Sequence, residues 1–134
     1  MKVSLIVSVY NEEDVLPLFW EEVQKVVPTV DDATFEIVWV NDGSTDGSQA
    51  CIQAVLEGAA DHPSMTHQTI EFSRNFGHEA AMIAGIDHAT GDVLVCLDSD
   101  LQHPPSCLPD MVRTHREGFD IVTMVRESRA DKRN

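Results

Sequence analysis

The sequence predicts an α/β fold in which a Rossmann-like, mostly parallel sheet is covered by helices on both faces. Short apolar runs rich in β-branched residues alternate along the chain with segments of helical spacing, as in sheets built from strand–helix–strand units. Those runs are nearly continuous in apolar residues, which is typical of strands buried on both faces. With 134 residues, 43% of them hydrophobic, the chain is long enough for one domain with its own core.

Five strands are predicted, and each is a run of apolar and β-branched residues. They lie at 3–9, 35–40, 69–73, 93–97 and 121–125. The first connecting helix is expected to have Asp14 as its N-cap, which places Pro17 in the first turn, where backbone N–H groups have no helical acceptor. The other helices are expected around 52–56, over 78–89 and from about 105 to 116, the last ending near Gly118.

The third helical segment and the end of the chain carry further information. The third segment, HEAAMIAGIDHA, is rich in small residues, so we expect it to pack closely on the sheet. The final stretch, ESRADKRN, is polar, and no core element closes the last strand. We therefore expect residues 1–134 to form a single domain that is the N-terminal portion of a larger protein.

The charge and the cysteines limit the partners and the compartment. Asp and Glu outnumber Lys and Arg by 23 to 9, a formal net charge of -14, which repels nucleic acid and anionic lipid at long range. Nucleic acid is therefore not expected as a partner, and a phosphorylated ligand would need a cation to mediate its contact. Cys51, Cys96 and Cys107 show no paired spacing, so we expect reduced thiols and a cytoplasmic location. No apolar stretch approaches the ~20 residues of a membrane span.

A polar cluster follows each of the first four predicted strands. In chain order the clusters read YNEED, NDGSTD, SRNFGH and DSDLQHPP. The carboxyl ends of parallel strands meet at one edge of a sheet, and open parallel sheets bind ligands there because loop amides and helix N-termini point to that edge. The sequence therefore predicts that four loops, distant along the chain, converge on one crevice.

Taken one at a time, the first three clusters also have structural interpretations. NDGSTD can be a tight turn at Asp42 and Gly43 in which Ser44 or Thr45 caps the next helix, and YNEED can be an acidic first turn that complements a helix dipole. Yet Asp42 comes directly after a buried strand, where a carboxylate would meet the base or ribose of a ligand. In SRNFGH, Arg74 brings a cation to an acidic edge, and the glycine permits close approach of the backbone.

Asp98 and Asp100 stand at the exit of the fourth predicted strand. Residues two apart on an extended strand point to the same side, which places these carboxylates roughly 6 to 7 Å apart, and their repulsion at an effective dielectric of about 20 is about 2.5 kcal/mol. A hard divalent cation offsets such repulsion, and Gln102 adds a neutral oxygen nearby. D-x-D is also a short pattern that occurs at strand ends as a turn former. With three polar loops at the same edge, it predicts a metal site that bridges an acidic protein to a nucleotide diphosphate.

In their order along the chain, VSVYNEE, VNDGSTDGS, RNFGHEAAMIAG and LDSDLQHPP resemble the motifs of family-two nucleotide-diphospho-sugar glycosyltransferases with the GT-A fold. The likeness is greatest to the polyprenyl-phosphate branch, which includes dolichyl-phosphate mannose synthase and bactoprenol glucosyltransferases, and it covers nearly the whole chain. Each motif alone is weakly specific, whereas the four in order are highly specific. The resemblance implies a metal-dependent inverting hexosyltransferase with a UDP- or GDP-sugar donor and a polyprenyl phosphate acceptor.

The resemblance also implies roles for individual residues. Donor-binding residues would be Tyr10, Asn11, Glu12, Asp42, Arg74, Asn75, Ser99 and Arg126, and the ligands of Mg²⁺ or Mn²⁺ would be Asp98, Asp100 and Gln102. The catalytic base, the acceptor-binding half and the membrane-contacting helices would lie beyond residue 134. We therefore expect the full-length protein at the cytoplasmic face of the membrane, and we expect this chain alone to bind donor but to turn over poorly or not at all.

Other functions remain as alternatives. A family-two transferase with a saccharide acceptor would share these motifs. A phospho-acceptor receiver module is also acidic, α/β and Mg²⁺-binding, but it would need an acceptor Asp after strand three and a Lys after strand five, where this sequence has Ser73-Arg74 and Arg126. A sugar nucleotidyltransferase would need a Gly-rich basic loop after strand one, and a dehalogenase-like phosphatase would carry its D-x-D near the N-terminus.

The histidines and the identity of the donor are less constrained by the sequence. The histidines show no paired spacing typical of zinc ligands. His78 and His103, which border the predicted crevice, are expected to be solvated, with contact to the ligand as the alternative. Likeness to the bactoprenol enzymes favours uridine with glucose or a modified sugar over guanosine with mannose.

Overall fold

One parallel sheet forms the centre of the structure. A computed structural model describes residues 1–59, 64–100 and 105–116. Within them the strands are β1 (Lys2–Val9), β2 (Thr34–Asn41), β3 (Met65–Glu71) and β4 (Val93–Asp98). Their order is β3-β2-β1-β4, and each neighbouring pair is parallel. The predicted α/β fold with a parallel sheet is confirmed.

The helices cover both faces of the sheet, as predicted. They are α1 (Leu16–Val26), α2 (Ser48–Ala59), α3 (His78–His88) and α4 (Leu108–Arg116). Side chains of α1, α2 and α4 share one core with Leu5, Val7 and Trp39, whereas α3 packs with Ile6 and Val38 in a second core. Successive strand residues point to opposite faces, so the alternation of Leu5, Ile6 and Val7 between the two cores shows that β1 is buried on both faces.

The start of α1 differs from the prediction. The N-cap position is Val15, not Asp14, and it makes no side-chain capping hydrogen bond. Instead, the backbone N–H groups of Val15 and Leu16 donate to the carbonyl oxygen of Glu12 at 3.1 and 2.9 Å. This turn satisfies helix-start donors that a side-chain cap would otherwise take. Pro17 lies in the first turn, as predicted.

The third strand starts and ends earlier than the predicted 69–73. It spans Met65–Glu71 and pairs with β2 along its whole length. Its first half is polar because β3 is an edge strand of the described sheet whose side chains after Met65 are half-buried or exposed. The ring of His67 stacks on Trp39 with centroids 6.3 Å apart and accepts the indole N–H at 3.1 Å, so a histidine takes the place of an apolar strand residue.

α3 packs closely on the sheet, as its small residues predict. A Cβ added at Gly85 would lie 2.3 Å from Cγ2 of Ile6 and 3.3 Å from Cγ2 of Val40, so the helix could not approach this far with a larger residue. Cys96 lies in the same core, and burial, followed by the charge of Asp98, raises the pKa of its thiol to about 11. All three cysteines are free, as predicted.

Several predictions fall outside the described residues. They concern the strand at 121–125, the helix stop at Gly118, and the side chains of Gln102, His103 and Arg126. Among the helices that are described, none is both long enough and apolar enough to cross a bilayer.

The strand order creates a topological switch point at the carboxyl end of β1. From β1 the chain continues through β2 to β3 on one side, whereas β4 joins the other side of β1. The register pairs Val9 with Asn41 and Ser8 with Asp98, so the three strands end at the same level. Open α/β sheets bind ligands in the crevice that forms where the order reverses.

Candidate functional site

A cleft of about 440 Å³ opens at the switch point. All four loops that follow the strands contribute to its lining. The predicted site residues in it are Tyr10, Glu12, Asp42, Asn75, Asp98, Ser99 and Asp100. Ser8, Gly77 and His78 line it as well. Gly77 and His78 belong to the predicted cluster SRNFGH, whereas Ser8 was not predicted for the site. The predicted convergence of the four polar clusters on one crevice is therefore confirmed.

Arg74 lies in a neighbouring cleft. That second cleft, of about 470 Å³, is formed by the loops after β1, β2 and β3, and Tyr10, Arg74 and Asn75 are part of its lining. Tyr10 and Asn75 line both clefts, so the two volumes are adjacent. The Arg74 guanidinium lies over the ring of Phe76, 4.3 Å from its centroid. This contact helps to hold the positively charged Arg74 side chain at the edge of the sheet.

Asn11 joins the loop after β1 to the loop after β2. Its backbone is left-handed, with a φ of 52°, a conformation that asparagine adopts more readily than most residues. Its Oδ1 accepts the N–H of Thr45 at 2.8 Å, and its own N–H donates to Ser44 Oγ at 2.9 Å. The N–H of Glu12 donates to Ser48 Oγ at 2.8 Å. Asn11 lines neither cleft, so these contacts fix loops whose other residues do.

The carboxylate of Asp46 takes the capping role at α2 that the sequence gives to Ser44 or Thr45. Its Oδ1 accepts the N–H of Ser48 at 2.8 Å, and its Oδ2 accepts the N–H of Glu13 at 3.3 Å. Burial alone would raise the pKa of Asp46, but the hydrogen bonds from Ser48 and Glu13 outweigh it and lower the pKa below its usual value. The capping prediction was wrong because Ser44 and Thr45 are engaged by the loop after β1.

The carboxylate of Asp42 holds the loop between β3 and α3. Asp42 is 3% exposed. Its Oδ1 accepts the N–H of Phe76 at 2.8 Å, and its Oδ2 accepts the N–H of Gly77 at 3.1 Å and the Asn75 amide at 3.0 Å. A Cβ at Gly43 would lie 2.1 Å from the backbone of that loop, and the φ of Gly43 is 69°, so this position requires glycine. The sequence places Asp42 against a ligand, whereas here most of its acceptor capacity serves the loop.

Asp98 is oriented by two hydrogen bonds to one of its oxygens. Its Oδ1 accepts the Ser8 hydroxyl at 2.7 Å and the Nε2–H of His78 at 2.7 Å. The Asp98 side chain is 7% exposed, whereas His78 is 41% exposed at the mouth of the cleft. The expectation of a merely solvated His78 was wrong, and Ser8 was given no role. The parallel register, which pairs Ser8 with Asp98, is the signal that could have identified Ser8.

Neighbouring negative charges act on Glu12 in the cleft. The pKa of Glu12 is raised, first by burial and then by the negative charges of Asp100, Asp98 and Asp46. Ser99, between the two aspartates, is 1% exposed, and its hydroxyl oxygen makes no hydrogen bond with any described residue. The cleft thus combines excess negative charge, which favours a ligand that brings a cation, with a buried hydroxyl that has no partner among the described residues and can bond a polar ligand atom.

The donor set fits a hard divalent cation that is held jointly with a ligand. In the part of the chain that the structure describes, no three His, Cys, Asp or Glu side chains are grouped so as to hold a metal ion by themselves. Asp98 and Asp100 nevertheless line one cleft, and Mg²⁺ is usually bound by one or two carboxylates with water and substrate phosphate oxygens rather than by a closed protein cage. The described residues therefore suit a cation that binds together with a phosphate ligand.

Comparison with known proteins places the chain in a family. The profile described as Glycosyl transferase family 2 matches residues 4–134. The chain belongs to this family. The membership predicted from the four motifs is confirmed. The parallel α/β sheet agrees with the fold that was expected from that membership.

The family 2 chain is similar to two curated bacterial proteins. It is 40% identical over 132 residues to the undecaprenyl-phosphate 4-deoxy-4-formamido-L-arabinose transferase of Sodalis glossinidius, an alignment that covers 97% of this chain and 38% of that protein. It is 38% identical over 130 residues to the prophage bactoprenol glucosyl transferase homolog of Escherichia coli strain K12, covering 97% of this chain and 40% of that protein. The chain therefore spans about two fifths of the length of these relatives.

Solved structures show the same fold. The mannosyltransferase PcManGT from Pyrobaculum calidifontis, in complex with GDP-Man and Mn²⁺, superposes on 83% of the family 2 chain with a TM-score of 0.60 and 28% identity, and 31% of that protein is covered. Residues 1–349 of S. aureus TarS, in complex with UDP-GlcNAc, superpose on 87% of this chain with a TM-score of 0.66 and 24% identity, covering 32% of that chain. The likeness to TarS establishes the fold alone.

Proposed function

We propose that this chain forms the donor-binding part of a metal-dependent, inverting glycosyltransferase that transfers a sugar from a nucleotide-diphospho-sugar to a polyprenyl phosphate. The observation that carries the proposal is that Asp98 and Asp100 meet the loops after β1, β2 and β3 in one cleft at the switch point. Family 2 membership and the names of the two curated relatives support the donor and acceptor classes. The Pyrobaculum mannosyltransferase, solved with GDP-Man and Mn²⁺, supports the use of Mg²⁺ or Mn²⁺.

The diphosphate of the donor would lie in the first cleft. Asp98 and Asp100 would hold the cation there, with Gln102 as a further ligand. A bound divalent cation supplies positive charge where negative charge develops on the departing nucleoside diphosphate. The Ser99 hydroxyl is buried beside both aspartates without a described partner. It would donate a hydrogen bond to an oxygen of the nucleotide-sugar, because a buried hydroxyl left unpaired is costly.

The nucleoside would lie in the second cleft. Tyr10 is 46% exposed and shares both clefts with Asn75, so its ring can flank a base while the diphosphate extends into the first cleft. Arg74 would supply positive charge on the same side. Asp42 lines the first cleft. A carboxylate offers about four acceptor positions, and three described hydrogen bonds engage this side chain, so one position stays available to a ribose hydroxyl where the nucleoside meets the first cleft. Glu12, which lines the first cleft, would contact the ligand there, and Asn11, which lines neither cleft, would support the site by joining the loops after β1 and β2.

The acceptor would bring its own negative charge. A polyprenyl phosphate is anionic near neutral pH, so its oxygen needs less help from a general base than a hydroxyl acceptor does. Attack on the anomeric carbon from the face opposite to the departing nucleoside diphosphate inverts its configuration. Arg126 would contact the phosphates. With such an acceptor, the whole protein would act at the cytoplasmic face of the membrane.

A thermal-shift panel of UDP- and GDP-sugars, each with Mn²⁺ and with chelator, tests the proposal. We expect stabilisation only with the metal present. At ligand about 100-fold above its Kd the gain is about 2.7 kcal/mol, which raises the Tm of a domain of this size by roughly 8 °C. Asp100→Asn should abolish this shift because it removes one of the two carboxylates that would hold the cation.

Asp87→Asn is the matched control, since Asp87 is exposed on α3 and lies outside both cleft linings. It should keep the full metal-dependent shift. Equal stabilisation by a nucleotide-sugar in the presence of chelator would argue against the bridging cation. No shift with any nucleotide-sugar would overturn the donor-binding assignment as a whole.

A further inference from the structure

We propose that His78 and Ser8 are positioning residues that hold the Asp98 carboxylate in the orientation needed to bind the cation. This inference rests on the proposed function, because it concerns how the cation site is prepared. Neither side chain is assigned as a ligand. Each would act through the hydrogen bond that it donates to Asp98.

The contacts converge on one atom from two sides of the cleft. Ser8 Oγ, from β1, and His78 Nε2, from the start of α3, both lie 2.7 Å from Asp98 Oδ1. An ionised carboxylate only accepts hydrogen bonds, so both groups donate. Two donors from separate elements fix the rotation of the carboxylate more tightly than either alone, and they also lower the cost of a buried negative charge.

The placement of His78 depends on a chain of contacts that begins at β2. Asp42 holds the N–H groups of Phe76 and Gly77, and Gly77 has a φ of 106°, a conformation suited to glycine. His78 follows at once as the first residue of α3. The loop geometry therefore sets the imidazole over the cleft, where it reaches Asp98 on the far side of β1.

The second histidine of α3, His88, makes a different contact from that of His78. His88, at the opposite end of the helix, is exposed and contacts the carbonyl oxygen of Ala84 in its own helix at 2.9 Å. His78 instead bonds a residue of another element that is 20 positions away. Groups that orient metal ligands through such hydrogen bonds typically contribute about 10- to 100-fold to metal affinity.

Titration of the 134-residue chain with Mn²⁺ in the presence of UDP, followed by the electron paramagnetic resonance signal of free Mn²⁺, tests the inference. His78→Ala should weaken Mn²⁺ binding by about 10- to 100-fold. His78→Gln should recover most of that loss, because the side-chain amide of glutamine can present an N–H donor near the position of Nε2. Ser8→Ala should weaken binding in the same direction, and His88→Ala should leave it unchanged.

The outcomes separate this inference from the proposed function. Mn²⁺ binding by the wild type together with unchanged or tighter binding by folded His78→Ala would overturn the positioning role and leave the proposed function standing. A His78→Gln variant as weak as His78→Ala would also overturn it, because a donor at this position would then not matter. Absence of Mn²⁺ binding by the wild type would overturn both. If His78→Ala does not fold, the comparison of His78→Gln and Ser8→Ala with the wild type decides, and unchanged binding by Ser8→Ala overturns the shared role.

Discussion

Glu36 supports the opposite edge of the sheet, and its replacement gives a quantitative test of the fold. Its side chain is 5% exposed. It accepts hydrogen bonds from the Ser4 hydroxyl at 2.7 Å, the Gln68 amide at 2.8 Å and the Thr90 N–H at 2.9 Å. Burial alone would raise the pKa of Glu36, but the donors of Thr90, Ser4 and Gln68 outweigh it and lower the pKa from 4.5 to about 2.

The size of the effect follows from this shift. A fall of the pKa from 4.5 to about 2 corresponds to about 3 kcal/mol of folding free energy. Because the folded-state pKa lies below the unfolded-state value, this contribution is complete above the unfolded pKa and is lost as the pH falls through the folded pKa. Glu36→Gln removes the charge at every pH, so it should cost about 3 kcal/mol at pH 7. The difference from wild type should shrink by a similar amount as the pH approaches 2.

Urea unfolding between pH 7 and pH 2.5, followed by tryptophan fluorescence, measures both quantities, since Trp39 is fully buried. Other carboxylates titrate in the same range, and taking the difference between wild type and Glu36→Gln at each pH removes their contribution. Glu57→Gln, at an exposed position of α2, should stay within about 0.5 kcal/mol of wild type. A difference for Glu36→Gln that is the same at pH 7 and pH 2.5 would refute the reasoning.

Two further substitutions test the hydrogen bonds of Asp42 to the loop before α3 and the packing of α3 on the sheet. Asp42→Asn replaces the carboxylate that accepts the N–H groups of Phe76 and Gly77 by an amide, so it should lower the free energy of unfolding in urea by about 1 to 3 kcal/mol. It should also weaken the thermal shifts caused by nucleotide-sugars. Wild-type stability of this variant would show that these hydrogen bonds contribute nothing. Gly85→Ala brings a Cβ to 2.3 Å from Ile6 and should cost about 1 to 3 kcal/mol, whereas Gly58→Ala, where a Cβ meets nothing within 4 Å, should gain up to about 1 kcal/mol. Equal effects of the two glycine variants on the unfolding midpoint would contradict the close approach of α3.

The architecture could be predicted because it depends on patterns that the sequence displays directly. Strands buried on both faces must be almost continuously apolar, and β1, β2 and β4 are. β3 was misplaced because an edge strand can carry polar residues such as His67 that find local partners. The N-cap of α1 was wrong because a backbone carbonyl, that of Glu12, does the work for which Asp14 has a suitable side chain.

The location of the site could be predicted, but its internal contacts could not. Parallel strands bring their carboxyl ends together, so a sequence with polar residues after each strand places Asp42, Asp98 and Asp100 at one edge. Which donor meets which acceptor depends on loop conformation and register. The bonds of Asp42 to the loop before α3, and of Asp98 to Ser8 and His78, are set at that level, and no spacing in the sequence encodes them.

Asp42 binds the backbone of Phe76, in the loop before α3, and not its side chain. The N–H of this residue is bound by Asp42, yet its ring is half exposed and meets Arg74 and Phe72. A substitution at Phe76 can therefore change the exposed side chain without moving the backbone N–H that Asp42 binds. A different side chain at this position would change what the Arg74 guanidinium contacts beside the second cleft, while His78, two residues later, keeps its position.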